Sequence, residues 1–291
     1  MLTKASMLFC SLASLVTAQE ATMKTQVYLF AGQSNMDGRA DAAKISAADL
    51  QRLKAVQDRI EFAYNWKPIT SLAPIEASDY VKKKFDLEKS FGPEIFFGIA
   101  LAEANPNKKF LFIKRAVGGT SLYGCWNPDW TLEKATFMKE EKQPKLYHDF
   151  IKYADSILAK RKPDSYEIKA MLWVQGEADS LVKQYGPIPG QAYEANLKNL
   201  IRSVRKHYKQ GELPFLFLKV GFGEVEKAMN ATASSVPNVS LIPLSQDKAS
   251  PYFYPSNPPP LWHYTTEGMK RIGLNFYKTY AADYVKSADK K

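Results

Sequence analysis

Two short stretches of the chain and one histidine carry the residue types that nucleophilic attack on a carbonyl group requires. The first, Gly32-Gln33-Ser34-Asn35-Met36-Asp37-Gly38, sets a serine in a tight, glycine-flanked turn directly after an apolar run. In open α/β sheets, ligands bind at the carboxyl ends of strands, where this serine would stand. The same composition also makes an ordinary turn or helix cap, so Ser34 alone does not establish a nucleophile. The second, Gln175-Gly176-Glu177-Ala178-Asp179, follows another apolar run. If that strand stays extended to its tip, Gln175 and Glu177 share a face. One can then donate to an oxyanion while the other orients a base, although Glu177 also fits a solvated carboxylate. Of the three histidines, His148 lies in a Lys-rich helical stretch and His207 among Arg205, Lys206 and Lys209, both positions that suit a solvated surface. His263 follows a proline-rich loop just before the final helical segment, where it can reach over the sheet edge as a base or pack against Trp262 and Tyr264.

An oxyanion also needs donors. The run ending at Val117 leads into Gly118-Gly119-Thr120-Ser121, and a glycine pair lets backbone N–H groups approach a ligand closely. A plain turn would use the same glycines.

These residues must be positioned by the elements around them. Six runs read as strands: 27–31, 59–64, 110–117, 170–174, 214–220 and 239–244, several nearly unbroken in apolar residues, as strands covered on both faces are. Helical spacing of apolar residues marks 47–57, 93–104, 145–160, 192–208 and 265–285. Pro93 sits at a first helical turn and Thr265-Thr266-Glu267 is an N-terminal signal. The alternation predicts an α/β protein with a central parallel sheet between helical layers. Neither an internal repeat nor a linker divides the chain, so one domain is expected over 19–291. The long irregular segments 68–90, 123–144 and 245–261 fall where a binding rim would be.

Composition sets the limits. The chain has 291 residues, 45% hydrophobic and 24% charged, which is ordinary for a folded domain and unlike disordered or multi-span membrane chains. Two cysteines exclude a disulfide framework, and with three histidines they leave little for a soft-ligand zinc site, so no metal or organic cofactor is expected. The net charge is +10. The basic residues are scattered and no nucleic-acid-binding pattern accompanies them, so a solvated surface is expected in place of a nucleic-acid or membrane partner. The first residues differ from the rest: Lys4, an apolar segment from Met7 to Val16, and Val16-Thr17-Ala18 before Gln19 make a secretory leader over 1–18, cut after Ala18. The apolar segment is too short to span a membrane. Secretion or a periplasmic location follows, and cleavage removes Cys10, leaving Cys125 alone.

The blocks Gly32 to Met36, Val117 to Ser121, Trp173 to Asp179 and His263 to Gly268 together resemble carbohydrate esterase family 6 and the related sialate O-acetylesterases of the SGNH hydrolase superfamily. The resemblance covers the chain from Thr25 to about Tyr280, with the four blocks in the family's order. It implies a flavodoxin-like α/β/α sandwich that removes acetyl groups from sugar hydroxyls, acetylxylan being the best-known substrate class. Carried over by position, Ser34 is the nucleophile and His263 the base. The Ser34 N–H, an N–H of Gly118-Gly119 and the Gln175 side chain form the oxyanion hole. One position departs from the superfamily pattern: where many members carry Asp three residues before the histidine, this chain has Pro260. Proline cannot orient an imidazole, so the expected acid moves to Glu177, with Asp247 as the competing carboxylate.

Substrate contacts are expected from Gln33 and Asn35 beside the nucleophile, from Asp179, and from loop aromatics including Trp126, Trp130, Tyr252, Tyr254 and Trp262. These rings can stack on sugars or anchor their loops. Two other readings remain: a carbohydrate-binding relative without turnover, for which Pro260 is the motive, and an esterase acting on sialic acid, pectin or small acyl esters.

Overall fold

The computed structural model describes residues 23–285. The leader expected over residues 1–18 lies outside them. Along the chain, β1 (Thr25–Gly32) enters α1 (Ser34–Asp37) and β2 (Ala40–Asp41), followed by α2 (Ala47–Val56), β3 (Ile60–Tyr64), β4 (Thr70–Ser71) and β5 (Ile75–Glu76). Next come α3 (Asp79–Phe85), β6 (Lys89–Phe91), α4 (Glu94–Ala104), β7 (Phe110–Ala116), α5 (Leu132–Phe137) and α6 (Leu146–Leu158). The remainder is β8 (Tyr166–Val174), α7 (Val182–Tyr185), α8 (Ile188–Gln191), α9 (Tyr193–His207), β9 (Phe215–Leu218), α10 (Glu224–Ser235), β10 (Val239–Ile242) and α11 (Thr266–Tyr280).

The main sheet has seven strands in the order β10-β9-β8-β1-β7-β3-β4, parallel throughout except for the antiparallel edge strand β4. A small antiparallel sheet, β2-β6-β5, lies apart from it. β1 is central because every residue from Val27 to Gly32 is buried, leaving no face for water. Its Tyr28 and Phe30 rings meet Phe97 of α4 at 5.2 and 5.7 Å, and Tyr28 meets Tyr280 of α11 at 5.4 Å. Thus α4 and α11, with α2 beside α4, cover one face. On the other, Trp173 of β8 lies against Tyr193 of α9 and Trp126, and Trp126 reaches Phe150 of α6. The result is the three-layer α/β/α arrangement that the alternating pattern predicts, and of the SGNH type that the family resemblance implies.

All six expected strands form, with ends shifted by a few residues; β8 runs longer than 170–174, and β9 and β10 are shorter than expected. α3, α5, α10 and the small sheet lie in stretches without a clear periodicity. A charged pair sits inside: Lys114 of β7 and Glu94 of α4 are both fully buried with Nζ and Oε2 2.8 Å apart. The Glu94 carboxylate also accepts the Gly92 N–H at 3.0 Å, which fixes the entry to α4 against β7.

Candidate active site

The carboxyl ends of β1, β7 and β8 are neighbours, and the chemistry-bearing blocks leave from them. β1 turns sharply into α1 because Gly32 has φ +151° and a β-carbon there would collide with the Val174 carbonyl. The Gln33 N–H donates to that same carbonyl at 3.0 Å, so β8 holds the turn. Ser34 is the first residue of α1, whose early N–H groups have no intrahelical acceptor. Next to it lies Gly118: a β-carbon on Gly118 would stand 3.5 Å from Ser34 Cβ. Gly119 has φ +74° and open space around it. The serine and the glycine pair expected to serve together therefore do meet.

The loop after the glycine pair is held by two buried carboxylates. Glu140 accepts from the Ser121 N–H at 2.6 Å, the Ser121 hydroxyl at 2.9 Å and the Cys125 N–H at 2.9 Å. Asp179 accepts from the Leu122 and Tyr123 N–H groups, each at 2.9 Å, and from Gln175 Nε2 at 2.6 Å. Burial pushes the Asp179 carboxyl up to about 7, against hydrogen bonds that favour the anion.

This support corrects three expectations. Gln175 is fully buried; its Nε2 donates to Asp179 and to the Thr120 carbonyl at 3.1 Å, and its Oε1 accepts from Tyr193 at 3.1 Å. An amide so occupied has no N–H left for an oxyanion. Asp179, 1% exposed and with both oxygens bonded, anchors the loop and has no free surface to offer a sugar. Trp126 is 0% exposed, edge-on to Trp173 at 5.1 Å, with its indole N–H donating to Thr120 Oγ1, so it is a core anchor. Gln33 is also buried, and its Oε1 accepts the Ala178 N–H at 3.4 Å, tying the serine turn to the β8 block.

On the opposite side of Ser34 the polar groups are open. Asn35 Nδ2 donates to Glu177 Oε1 at 2.8 Å, while Asn35 Oδ1 and Glu177 Oε2 are buried without partners. Burial raises the Glu177 pKa, opposed by the Asn35 hydrogen bond. Glu177 is thus tied to the nucleophile's neighbour and not to His263. The His263 ring stands edge-on to Phe85 at 5.0 Å, and its Nδ1 is buried without a partner. Its pKa is pushed down to about 4, first by burial and then by the Arg39 cation, with Lys84 adding to the effect. A neutral imidazole at pH 7 is the form that accepts a proton. Trp262, with φ +53°, turns the chain into His263 through a backbone conformation unusual for a bulky residue.

Asp37 lies in the serine block and Arg39 directly after it, and neither was among the expected site residues. Asp37 Oδ1 accepts from the Tyr64 hydroxyl at 2.6 Å and Asn65 Nδ2 at 3.3 Å, and its Oδ2 from Arg39 Nη1 at 2.6 Å. Arg39 is 7% exposed and lies over Phe85, 5.7 Å from the ring centroid. The spacing of an acid and a base two residues apart after a Gly-Gln-Ser turn was the available signal, but burial makes it meaningful.

A cavity of about 730 Å³ opens beside this open side. Asn35, Glu177, Phe222, Tyr254, Trp262 and Tyr264 are among its walls. Trp262 is 68% exposed there, whereas Tyr254 is buried with its hydroxyl accepting from Asn275 at 3.0 Å. Tyr252 lies 37% exposed outside this cavity, and Trp130 is covered by Lys145 at 4.0 Å. Among the described residues no cluster of three or more His, Cys, Asp or Glu side chains could hold a metal ion, and no helix is long and apolar enough to cross a membrane.

Residues 24–282 match the family described as carbohydrate esterase, sialic acid-specific acetylesterase. The chain is similar to a probable carbohydrate esterase of Arabidopsis thaliana, 28% identical over 274 residues, which cover 89% of this chain and 91% of that protein. An Arabidopsis thaliana crystal structure resembles it with a TM-score of 0.62 at 21% identity, covering 90% of this chain and 99% of that one. NanS superposes with a TM-score of 0.61 at 14% identity over 91% of this chain and 99% of its own. A carbohydrate acetylesterase of Xanthomonas citri gives 0.56 at 16% identity, over 90% of this chain and 57% of the other.

Proposed function

Starting from a chain that belongs to the sialic acid-specific acetylesterase family of carbohydrate esterases, we propose that it removes acetyl groups from the hydroxyls of a neutral sugar, in an acetylxylan-like polysaccharide or oligosaccharide. The observation that carries this choice is the cavity walled by Asn35, the neighbour of Ser34: its lining includes no Lys, Arg or His, and its one carboxyl group is Glu177. A sialic acid brings a carboxylate, which such a wall would not neutralise. The exposed Trp262 ring supplies a face for a sugar ring.

In this reading Ser34 Oγ attacks the acetyl carbonyl while neutral His263 takes its proton. Carbonyl oxygen charge falls to the Ser34 and Gly118 N–H groups. His263 then returns the proton to the departing sugar hydroxyl, leaving acetyl-Ser34. Water, deprotonated by His263, attacks the acetyl-enzyme, and acetate leaves as Ser34 regains its proton. Glu177 is kept as the orienting acid because its Oε2 and His263 Nδ1 are both buried and unpartnered, an acceptor and a potential donor. The reading also has the mature enzyme begin after Ala18 and act outside the cytoplasm, which N-terminal sequencing of the exported protein checks.

The deciding experiment is acetate release from acetylated xylan, O-acetylated sialic acid and a small aryl acetate, with Ser34→Ala in parallel. Xylan turnover well above sialate turnover, both absent in the variant, is the expected result. Preference for the sialate ester would overturn the neutral-sugar choice. Silence on all three would favour a binding role.

A further inference from the structure

We propose that Arg39 is a catalytic residue: its Nη2 donates to the oxyanion that forms as Ser34 attacks, filling the place that the occupied Gln175 amide leaves open. The proposal rests on Ser34 as nucleophile and adds a donor that position in the sequence did not indicate.

Three observations converge. The first is proximity. The β-carbon position of Gly118 lies 3.0 Å from Arg39 Nη2 and 3.5 Å from Ser34 Cβ, so guanidinium and nucleophile flank the same glycine. This also explains a glycine at 118, since any side chain would compete with Nη2 for the space. The second is rigidity. Nη1 is held by Asp37 Oδ2 at 2.6 Å and by the Gly38 carbonyl at 2.7 Å, and Asp37 is itself fixed by Tyr64 and Asn65. The ring of Phe85 backs the guanidinium. A donor locked before the reaction pays no reorganisation as charge develops. The third is the unused capacity. Arg39 Nε is buried without a partner and Nη2 has no acceptor among the described residues, whereas Nη1 is fully engaged. The buried Nε N–H is costly to leave unpaired, and Nη2, outside that enclosed set, stays available to a group at Ser34.

A resident substrate carboxylate is the other occupant such a cation could take. The cavity on this flank, about 290 Å³, argues against it, because Asp37 and Glu76 line it along with Arg39 and Lys67, so its wall offers a carboxylate no excess of positive charge. An oxyanion on the acetyl group carries its charge only while the reaction proceeds, at Ser34 beside Gly118. The same cation holds down the His263 pKa, so one residue would serve both the base and the oxyanion.

The test measures kcat and KM on a neutral aryl acetate for Arg39→Ala and Arg39→Lys, with thermal midpoints and with guanidinium added at sub-denaturing concentration. Loss of one oxyanion donor predicts a kcat lower by about a hundred-fold or more, with KM little changed. Guanidinium should restore part of the kcat of Arg39→Ala. Arg39→Lys keeps a charge beside Asp37 but lacks the second N–H arm, so its midpoint should stay near native while its kcat falls. If Arg39→Ala does not fold, the Arg39→Lys result decides. A kcat near native in a folded variant would overturn the proposal, as would a loss confined to esters of acidic sugars, which would make Arg39 a reader of substrate charge. Activity surviving in Ser34→Ala would instead remove the nucleophile reading beneath it.

Discussion

The two flanks of Ser34 use similar residue types to opposite ends. On the Gln175 flank, a carboxylate, an amide, a tyrosine hydroxyl, two backbone N–H groups and two backbone carbonyls form a closed set in which each group named has its partner. On the other, Asn35 Oδ1, Arg39 Nε, Glu177 Oε2 and His263 Nδ1 are all buried and unpaired. A closed buried network rigidifies, while an open one carries a desolvation cost that only a bound or reacting molecule relieves. Polar residue type therefore does not separate scaffold from chemistry in this molecule; satisfaction does.

The comparison can be broken most severely at the open flank. Ser34→Ala and His263→Ala should each reduce kcat on an aryl acetate by on the order of 10⁴-fold or more, as removal of members of such a catalytic unit does elsewhere, with thermal midpoints almost unmoved. A midpoint falling with activity would make either residue structural.

At the closed flank the order of effects reverses. Asp179→Ala strands the Leu122 and Tyr123 N–H groups and the Gln175 amide, each at a cost of about 1–3 kcal/mol. Differential scanning calorimetry should show a midpoint lower by roughly 10 °C, on a scale of about 2–4 °C per kcal/mol for larger domains. An unchanged midpoint would mean the network is not holding the loop.

The pH profile sharpens the contrast further. Since the His263 pKa is pushed down to about 4, its neutral form persists below pH 6, and kcat/KM should fall only as the pH drops toward 4 and the imidazole gains a proton. The groups facing that ring with charge are Arg39 and Lys84, both of which disfavour the imidazolium. An acid limb near the ordinary histidine value would show that the ring is not held in this environment. The smallest effect is expected at the rim: Trp262→Ala should raise KM for acetylated xylan a few-fold, about 1 kcal/mol of lost stacking, and leave aryl acetate kcat as it was.

Much of the scaffold is legible along the chain because strands buried on both faces must be apolar throughout, as Val27 to Ala31 and Phe110 to Ile113 are. α10 escaped because its Thr-Ala-Ser-Ser end has little apolar periodicity; contact with α9 and β10 makes it a helix. In the site, the turn glycines were readable since steric demand is local: Gly32 answers to the Val174 carbonyl whatever else surrounds it. Trp126 was not, because whether a loop indole stacks on ligand or on Trp173 depends on which distant element reaches it.

By itself, then, the sequence determined the alternation of strands and helices, the serine at the end of β1, the glycines that let backbone approach it, and the family those blocks belong to. Each follows from residue type and short-range geometry. Only the tertiary structure decided that Gln175 faces Asp179 and Thr120, that Glu177 is bonded to Asn35, and that Arg39 lies beside Gly118. A polar side chain's role depends on which partners remain once water is excluded, and that is settled by packing between segments far apart in the chain.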